Sequence, residues 1–188
     1  MDLEYIKSET KFGIPIIAFE DLEQLFNPAD TYFHVAIPYT NMNQLRADFV
    51  SRMKCKGFYP ASYVSSKSFV WPNVKLGEHV FIFENNTIQP FVTIGKNSIL
   101  WSGNHIGHHS VIEDNVFISS QVVLSGHCQI GNNSFIGVNA TIANNIKIAE
   151  YNWLGMNVCI GKSSNPYEIF KSNLTVAHTK TVHGIFLK

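Results

Sequence analysis

The chain has 188 residues, enough for one large domain or two small ones, and its 14 Lys and Arg balance 14 Asp and Glu. Neutral charge without a basic run argues against nucleic acid or an anionic membrane as partner. No apolar run approaches a membrane span, and the charged start MDLEYIKSET is not a secretory signal, so a cytoplasmic protein without membrane insertion is expected. Cys55, Cys128 and Cys159 are scattered and odd in number, which is neither a disulfide framework nor a CxxC metal pair.

Residues 1–57 read as a small α/β domain. Ile14 to Phe19 (IPIIAF) and Tyr32 to Ile37 (YFHVAI) have the composition of short buried strands. Glu20 to Phe26 reads as a short helix. Asn41 to Lys56 places Leu45, Phe49 and Met53 near helical spacing, with Asn41 or Asn43 as a cap and Gly57 just past the end. The order strand, helix, strand, helix suggests a parallel sheet. Phe58 to Tyr63 leads into the next region.

Residues 58–165 obey one rule. From Val64 an aliphatic side chain recurs at every sixth position through Ile160, giving seventeen units without a slip. A helix has a period of 3.6 and a strand a period of 2, so a period of six requires a turn at a fixed place in each unit. Such hexapeptide repeats mark a β-solenoid. The fifth position of each unit is small or β-branched in nearly every case, as at Val92, Ser110, Cys128 and Ala140, and forms a second inward position. The repeats stop at Pro166. Residues 166–188 read as a cap or tail over the last coil, with a short helix possible at Pro166 to Lys171.

Four of the eight histidines (His105, His108, His109 and His127) fall within 23 residues, densest in GNHIGHHSVIED. None occupies a first or fifth position, so all should lie outside the core near a corner. If three units make one coil, the residue stacked above His108 is Gly126, then Asn144, then Lys162. His127 stacks above His109. A glycine above an exposed imidazole leaves a gap for a small acyl group, and its N–H can approach an oxyanion. Cys128 should face inward and not act as a nucleophile. Exposed histidines at corners are ordinarily just tolerated polar residues, and that bland reading is preferred over a direct role for His105 and His127.

The stretches IGHHSVIEDNVFIS, LSGHCQIGNNSFIGVNATI and GFYPASYVSSKSFV resemble the sialic-acid O-acetyltransferase and bacillosamine-type amino-sugar N-acetyltransferase family, within the hexapeptide-repeat acyltransferases. The resemblance implies a mainly β fold. A left-handed parallel β-helix, on the order of 25 Å tall at about 4.8 Å per coil, would follow a small, apparently truncated Rossmann-like domain. It implies acetyl-CoA as co-substrate and a sugar or nucleotide-sugar acceptor, most simply an amino sugar N-acetylated for surface glycans, with O-acetylation as the alternative. It implies a homotrimer with active sites between subunits. His108 matches the family's catalytic base. His109 stands where an acidic partner is usual, so a backbone carbonyl, Glu113, Asp114 or a neighbouring subunit are further candidates to orient the base. Gly126, Val138, Asn144, Met156 and Lys162 match cofactor-binding positions, and His105 and Phe117 are the candidate acceptor contacts. No metal is expected. The family's opening Gly-rich turn has no counterpart in this chain. Two other classes remain open. One is a γ-type carbonic anhydrase, which holds zinc on three histidines across a trimer interface, although the spacing here matches poorly. The other is a non-catalytic solenoid.

Overall fold

In a computed structural model, residues 8–173 are described. The six-residue units build a three-walled parallel β-solenoid. Wall 1 has seven strands, from Tyr63–Val64 to Ile169–Phe170. Wall 2 has six, from Phe69–Val70 to Cys159–Ile160, and wall 3 has five, from Lys75–Leu76 to Lys147–Ile148. Up to Cys159–Ile160 each strand pairs in parallel with the one eighteen residues on, as Ile106 does with Leu124 and Ile112 with Ile130. Three units therefore make one coil. The mainly β architecture expected from the repeat is the one observed.

The unit has a fixed internal geometry. Its first position points inward, and Ile82, Ile88, Ile94, Leu100, Ile106 and Ile112 are fully buried in one continuous core. Burying each such side chain contributes roughly 1.5–3 kcal/mol. The fifth position is also inward. Except at Asn152 near the end of the stack, its polar members are satisfied by the coil above or below, as when Asn104 Oδ1 accepts from the Val122 N–H at 2.8 Å and Ser110 Oγ accepts from the Cys128 N–H at 3.1 Å. The fourth position turns the corner. From His79 to Asn157 every fourth position has φ between 54° and 75°. A left-handed residue costs roughly 1–2 kcal/mol unless it is Gly or a short polar residue, which explains why Asn dominates this position.

The N-terminal unit packs on the outside of wall 1. A helix spans Gln44–Cys55, and a two-stranded parallel sheet joins Tyr32–Phe33 to Tyr59–Pro60 across it. Four expectations need correction. The strand over Ile14 to Phe19 is only Ile14–Pro15, paired antiparallel with Thr10–Lys11, and Phe19–Asp21 is a 3-10 turn before the short helix Leu22–Leu25. The strand from Tyr32 stops at Phe33 because the backbone beyond it has other partners. The Val35 N–H donates to His79 Nε2 at 2.8 Å, and the Ile37 and Pro38 carbonyls accept from the Arg46 guanidinium. Asn43 precedes the helix but does not cap it. Its φ is 67°, and its side chain reaches the Ser134 carbonyl at 3.2 Å. The segment after Pro166 is not helical. Ile169–Phe170 continues wall 1 by pairing with Trp153–Leu154, and Phe170 packs against the core. The rest of the proposed cap, residues 174–188, lies outside the described residues.

Two buried polar side chains dock this unit. Arg46 is fully buried, pairs with no carboxylate among the described residues, and donates to Asn97 O and Oδ1, Asn43 Oδ1 and the two carbonyls above; burial lowers its pKa to about 10, so it stays charged. His79 is 1% exposed. Since its Nε2 accepts from Val35, its Nδ1–H donates to Asn97 Oδ1 at 2.8 Å, and the ring is neutral. Burial, followed by the charge of His34, lowers its pKa from 6.5 to about 4. Between those values the unfolded chain binds a proton that the folded chain refuses. The stability His79 contributes is therefore complete above pH 6.5 and is lost as pH falls toward 4. His79→Asn suits the left-handed corner and removes the titration. Its melting temperature should fall less steeply than wild type between pH 6.5 and 4, and equal slopes would refute this role.

Candidate active site

The corner between walls 2 and 3 lies opposite wall 1 and its N-terminal unit. Its third positions are Pro90, His108, Gly126, Asn144 and Lys162, and its fourth positions are Phe91, His109, His127 and Asn145. The structure thus brings His108, His109, Gly126, His127, Asn144 and Lys162 to one edge. The backbone of this edge is a hydrogen-bonded ladder. The His109 N–H donates to Pro90 O at 3.0 Å, His127 to His108 O at 2.9 Å and Asn145 to Gly126 O at 3.1 Å.

On that ladder, Phe91, His109 and His127 form a stack. Ring centroids lie 4.6 Å apart for Phe91 and His109 and 4.8 Å for His109 and His127. The His108 ring stands edge-on to both histidines, and its Nδ1 lies 3.1 Å from His109 Nδ1. This is hydrogen-bond distance, with one ring donating and the other accepting. The His108 N–H is held by Gln89 Oε1 at 2.9 Å. Among the described residues of this chain, His109 makes that contact, while Glu113 and Asp114 are engaged elsewhere. Glu113 is engaged by Gln129 Nε2 and the Asn132 N–H, and Asp114 by the Lys96 N–H.

Two sequence expectations change here. The space above His108 is not a vacant gap: a Cβ on Gly126 would lie 2.8 Å from both His108 Cε1 and Nε2, so the ring itself fills the place the glycine leaves. The Gly126 N–H is not free either, because it donates to Asn144 Oδ1 at 3.0 Å. The glycine is there to admit the imidazole, and Asn144 is fixed by the glycine's amide. Cys128 faces inward as expected. It is 2% exposed, its Sγ donates to Ala143 O at 3.0 Å, and burial pushes its thiol pKa up.

The other predicted residues lie elsewhere. His105 is half-buried on the outer face of wall 2, one strand before the corner. Phe117 sits on wall 1, 3% exposed, stacked on Phe135 at 5.7 Å and against Tyr39, and it lines the apolar groove described below. Its eighteen-residue neighbours are Ile99 and Phe135, so it belongs to the face that seats the N-terminal unit and not to the histidine corner. Val138 and Met156 stack at a different edge, between walls 1 and 2, and both are exposed. Beside them runs an apolar groove of about 670 Å³ lined by Tyr39, Trp101, Phe135 and Trp153 among others. Sequence reasoning missed His79, Arg46 and this groove. The signal was present: Tyr63, Phe81, Ile99, Phe117, Phe135 and Trp153 recur every eighteen residues, a stripe that marks a covered outer face.

Among the described residues no helix is long and apolar enough to cross a membrane. The family model for the bacterial transferase hexapeptide (six repeats) matches residues 69–108 and 109–144. No curated protein matches the chain. Among solved structures, a variant of perosamine N-acetyltransferase from Caulobacter crescentus, in complex with CoA and GDP-perosamine, is similar at 21% identity and a TM-score of 0.80, covering 86% of this chain and 77% of that one. WeeI from Acinetobacter baumannii is similar at 22% identity and 0.75, covering 88% and 77%. The acetyltransferase domain of PglB from Neisseria gonorrhoeae follows at 20% identity and 0.65, covering 84% and 76%.

The close fit of His108 over Gly126 is directly testable. Gly126 has no left-handed φ, so Gly126→Ala adds only a methyl group against an exposed, rotatable ring. Stability should change by less than about 1 kcal/mol, while the His108 ring resonances in the NMR spectrum shift strongly. Unshifted resonances would contradict the packing described.

Proposed function

We propose that this chain, whose coils carry the bacterial transferase hexapeptide repeat, is an acetyl-CoA-dependent sugar acetyltransferase. It transfers acetyl directly to the amine of a nucleotide-linked amino sugar, a reaction that serves surface glycan biosynthesis. The observation that carries this reading is the His108 and His109 Nδ1 contact at the edge beneath Gly126. The fold shared with enzymes that hold CoA supports it.

His109 accepts the Nδ1–H of His108 and leaves Nε2 of His108 as the base. As the acceptor amine attacks the thioester carbonyl, Nε2 removes its proton. The tetrahedral intermediate collapses, the C–S bond breaks, and the imidazolium returns the proton to the CoA thiolate. No acyl-enzyme forms. With the Gly126 amide already engaged, Asn144 supplies the oxyanion donor. Its Oδ1 is held by Gly126 N–H, which turns its NH2 group outward.

The site is shared between subunits of a homotrimer. His108, Asn144 and Lys162 stand at one edge of the prism, Val138 and Met156 at another, with wall 2 between them. A single prism does not bring these edges together, but the edge of a second copy can face the first. The pantetheine arm then lies along Val138 and Met156, near the apolar groove, and Lys162 meets CoA phosphate.

Release of free thiol from acetyl-CoA, measured against UDP-, GDP- and dTDP-amino sugars, tests the assignment. His108→Ala should lower kcat by about 10²–10⁴ without changing the melting temperature, and a variant that kept most of its rate would sink it. His109→Asn keeps a residue suited to the left-handed corner and removes the orienting nitrogen. It should lower kcat by about tenfold with little change in KM for acetyl-CoA; an unchanged kcat would remove His109 from the mechanism.

A further inference from the structure

The three imidazoles at the corner form a set that proton transfer does not use up. His127 has no part in the transfer proposed above. Even so, it stacks on His109 at 4.8 Å and meets His108 edge-on at 5.0 Å. One ring nitrogen from each of His108, His109 and His127 lies within 4.8 Å of the other two, and all three side chains are exposed.

We infer that this triad is an inhibitory site for a borderline transition-metal cation, with Zn2+ the reference ion, that closes the enzyme by taking the lone pairs of its base and the base's partner. Neutral imidazole is the preferred ligand of this metal class. Zn–N bonds of about 2.0–2.1 Å at a tetrahedral angle place ligand nitrogens about 3.4 Å apart. The His108 and His109 Nδ1 atoms are already 3.1 Å apart. The remaining closure is a rotation of the exposed His127 ring out of its stack on His109. The backbone beneath the three rings is fixed by the ladder from His127 N–H to His108 O and from His109 N–H to Pro90 O. Binding therefore orders only side-chain torsions.

The chemistry balances simply. The metal takes the Nδ1 lone pairs of His108 and His109, the His108 proton passes through solvent from Nδ1 to its own Nε2 so that the ring stays neutral, and water fills the fourth position. Nothing is oxidised or reduced. A His108 bound in this way carries its proton on Nε2, the nitrogen that serves as the base, so acetyl transfer stops until the metal is removed. All three ligands come from one chain, unlike a zinc centre assembled across a subunit interface.

The inhibition, but not the binding, rests on the transferase reading, so the two are measured separately. Metal-free protein is dialysed against Zn2+ and the bound metal counted, with Co2+ absorption reporting tetrahedral nitrogen ligation. Wild type should hold about one ion per chain. His127→Asn, which suits its left-handed corner, should bind at least about tenfold more weakly. Thiol release by wild type should fall with added Zn2+ and recover with EDTA, while His127→Asn keeps its basal rate and resists the metal. Absence of a bound ion, or equal binding by His127→Asn, would overturn the site. Stimulation by Zn2+ would overturn its inhibitory role. Binding by a protein that transfers no acetyl group would support the site and defeat only the transferase reading.

Discussion

The structure depends on the stacking of one coil on the next at an interval of eighteen residues. Each coil lends its neighbours parallel backbone hydrogen bonds at three walls and a satisfied partner for nearly every inward polar side chain. The interval holds because from His79 to Asn157 each six-residue unit turns at its fourth position with a left-handed residue, a conformation the chain supplies with Asn, His or Gly at most corners. Where the interval fails, a polar group is stranded. The last strand of wall 1 pairs Ile169 with Trp153, sixteen residues on instead of eighteen. Asn152 Oδ1, which lower in the stack would meet a backbone N–H as Asn104 Oδ1 does, is buried with no partner among the described residues.

The same interval divides labour among the faces. Wall 1 carries an aromatic stripe and receives the N-terminal unit through apolar contact and through the Arg46, His79 and Asn97 cluster. The opposite corner is left free. A buried Arg without a carboxylate contributes little net stability, because its desolvation offsets much of what its hydrogen bonds gain. What it supplies is register: Arg46 and His79 both close on the single side chain of Asn97, and together they set which coils the N-terminal unit covers. That placement keeps the unit away from the histidine edge and puts the apolar groove beside the edge of Val138 and Met156.

The solenoid was legible because its signal is redundant. Seventeen aliphatic residues in phase leave no competing period, and counting in eighteens placed His108 beneath Gly126 and turned Cys128 inward. What the count could not deliver was side-chain conformation. It left a gap above His108 that the ring itself fills, and a free amide at Gly126 that Asn144 engages. Phe117 follows the same interval on wall 1, where it stacks with Phe135, away from the histidine corner. The N-terminal unit was the least legible part. Its segment from Val35 to Pro38 has a strand's composition, but its backbone is spent on His79 and Arg46, partners distant in sequence that no local pattern announces.

In this account an active centre needs the histidine edge of one prism and the Val138 and Met156 edge of another. Subunit mixing tests that requirement most directly. A His108→Ala chain and a chain with Met156→Asp and Val138→Asp, each inactive alone, are unfolded together, refolded at equal concentrations and assayed for thiol release. Random assembly restores both intact edges at about a quarter of the interfaces, so the mixture should regain roughly that share of wild-type activity. A mixture that co-assembles but stays as inactive as its parents would contradict a site shared between chains.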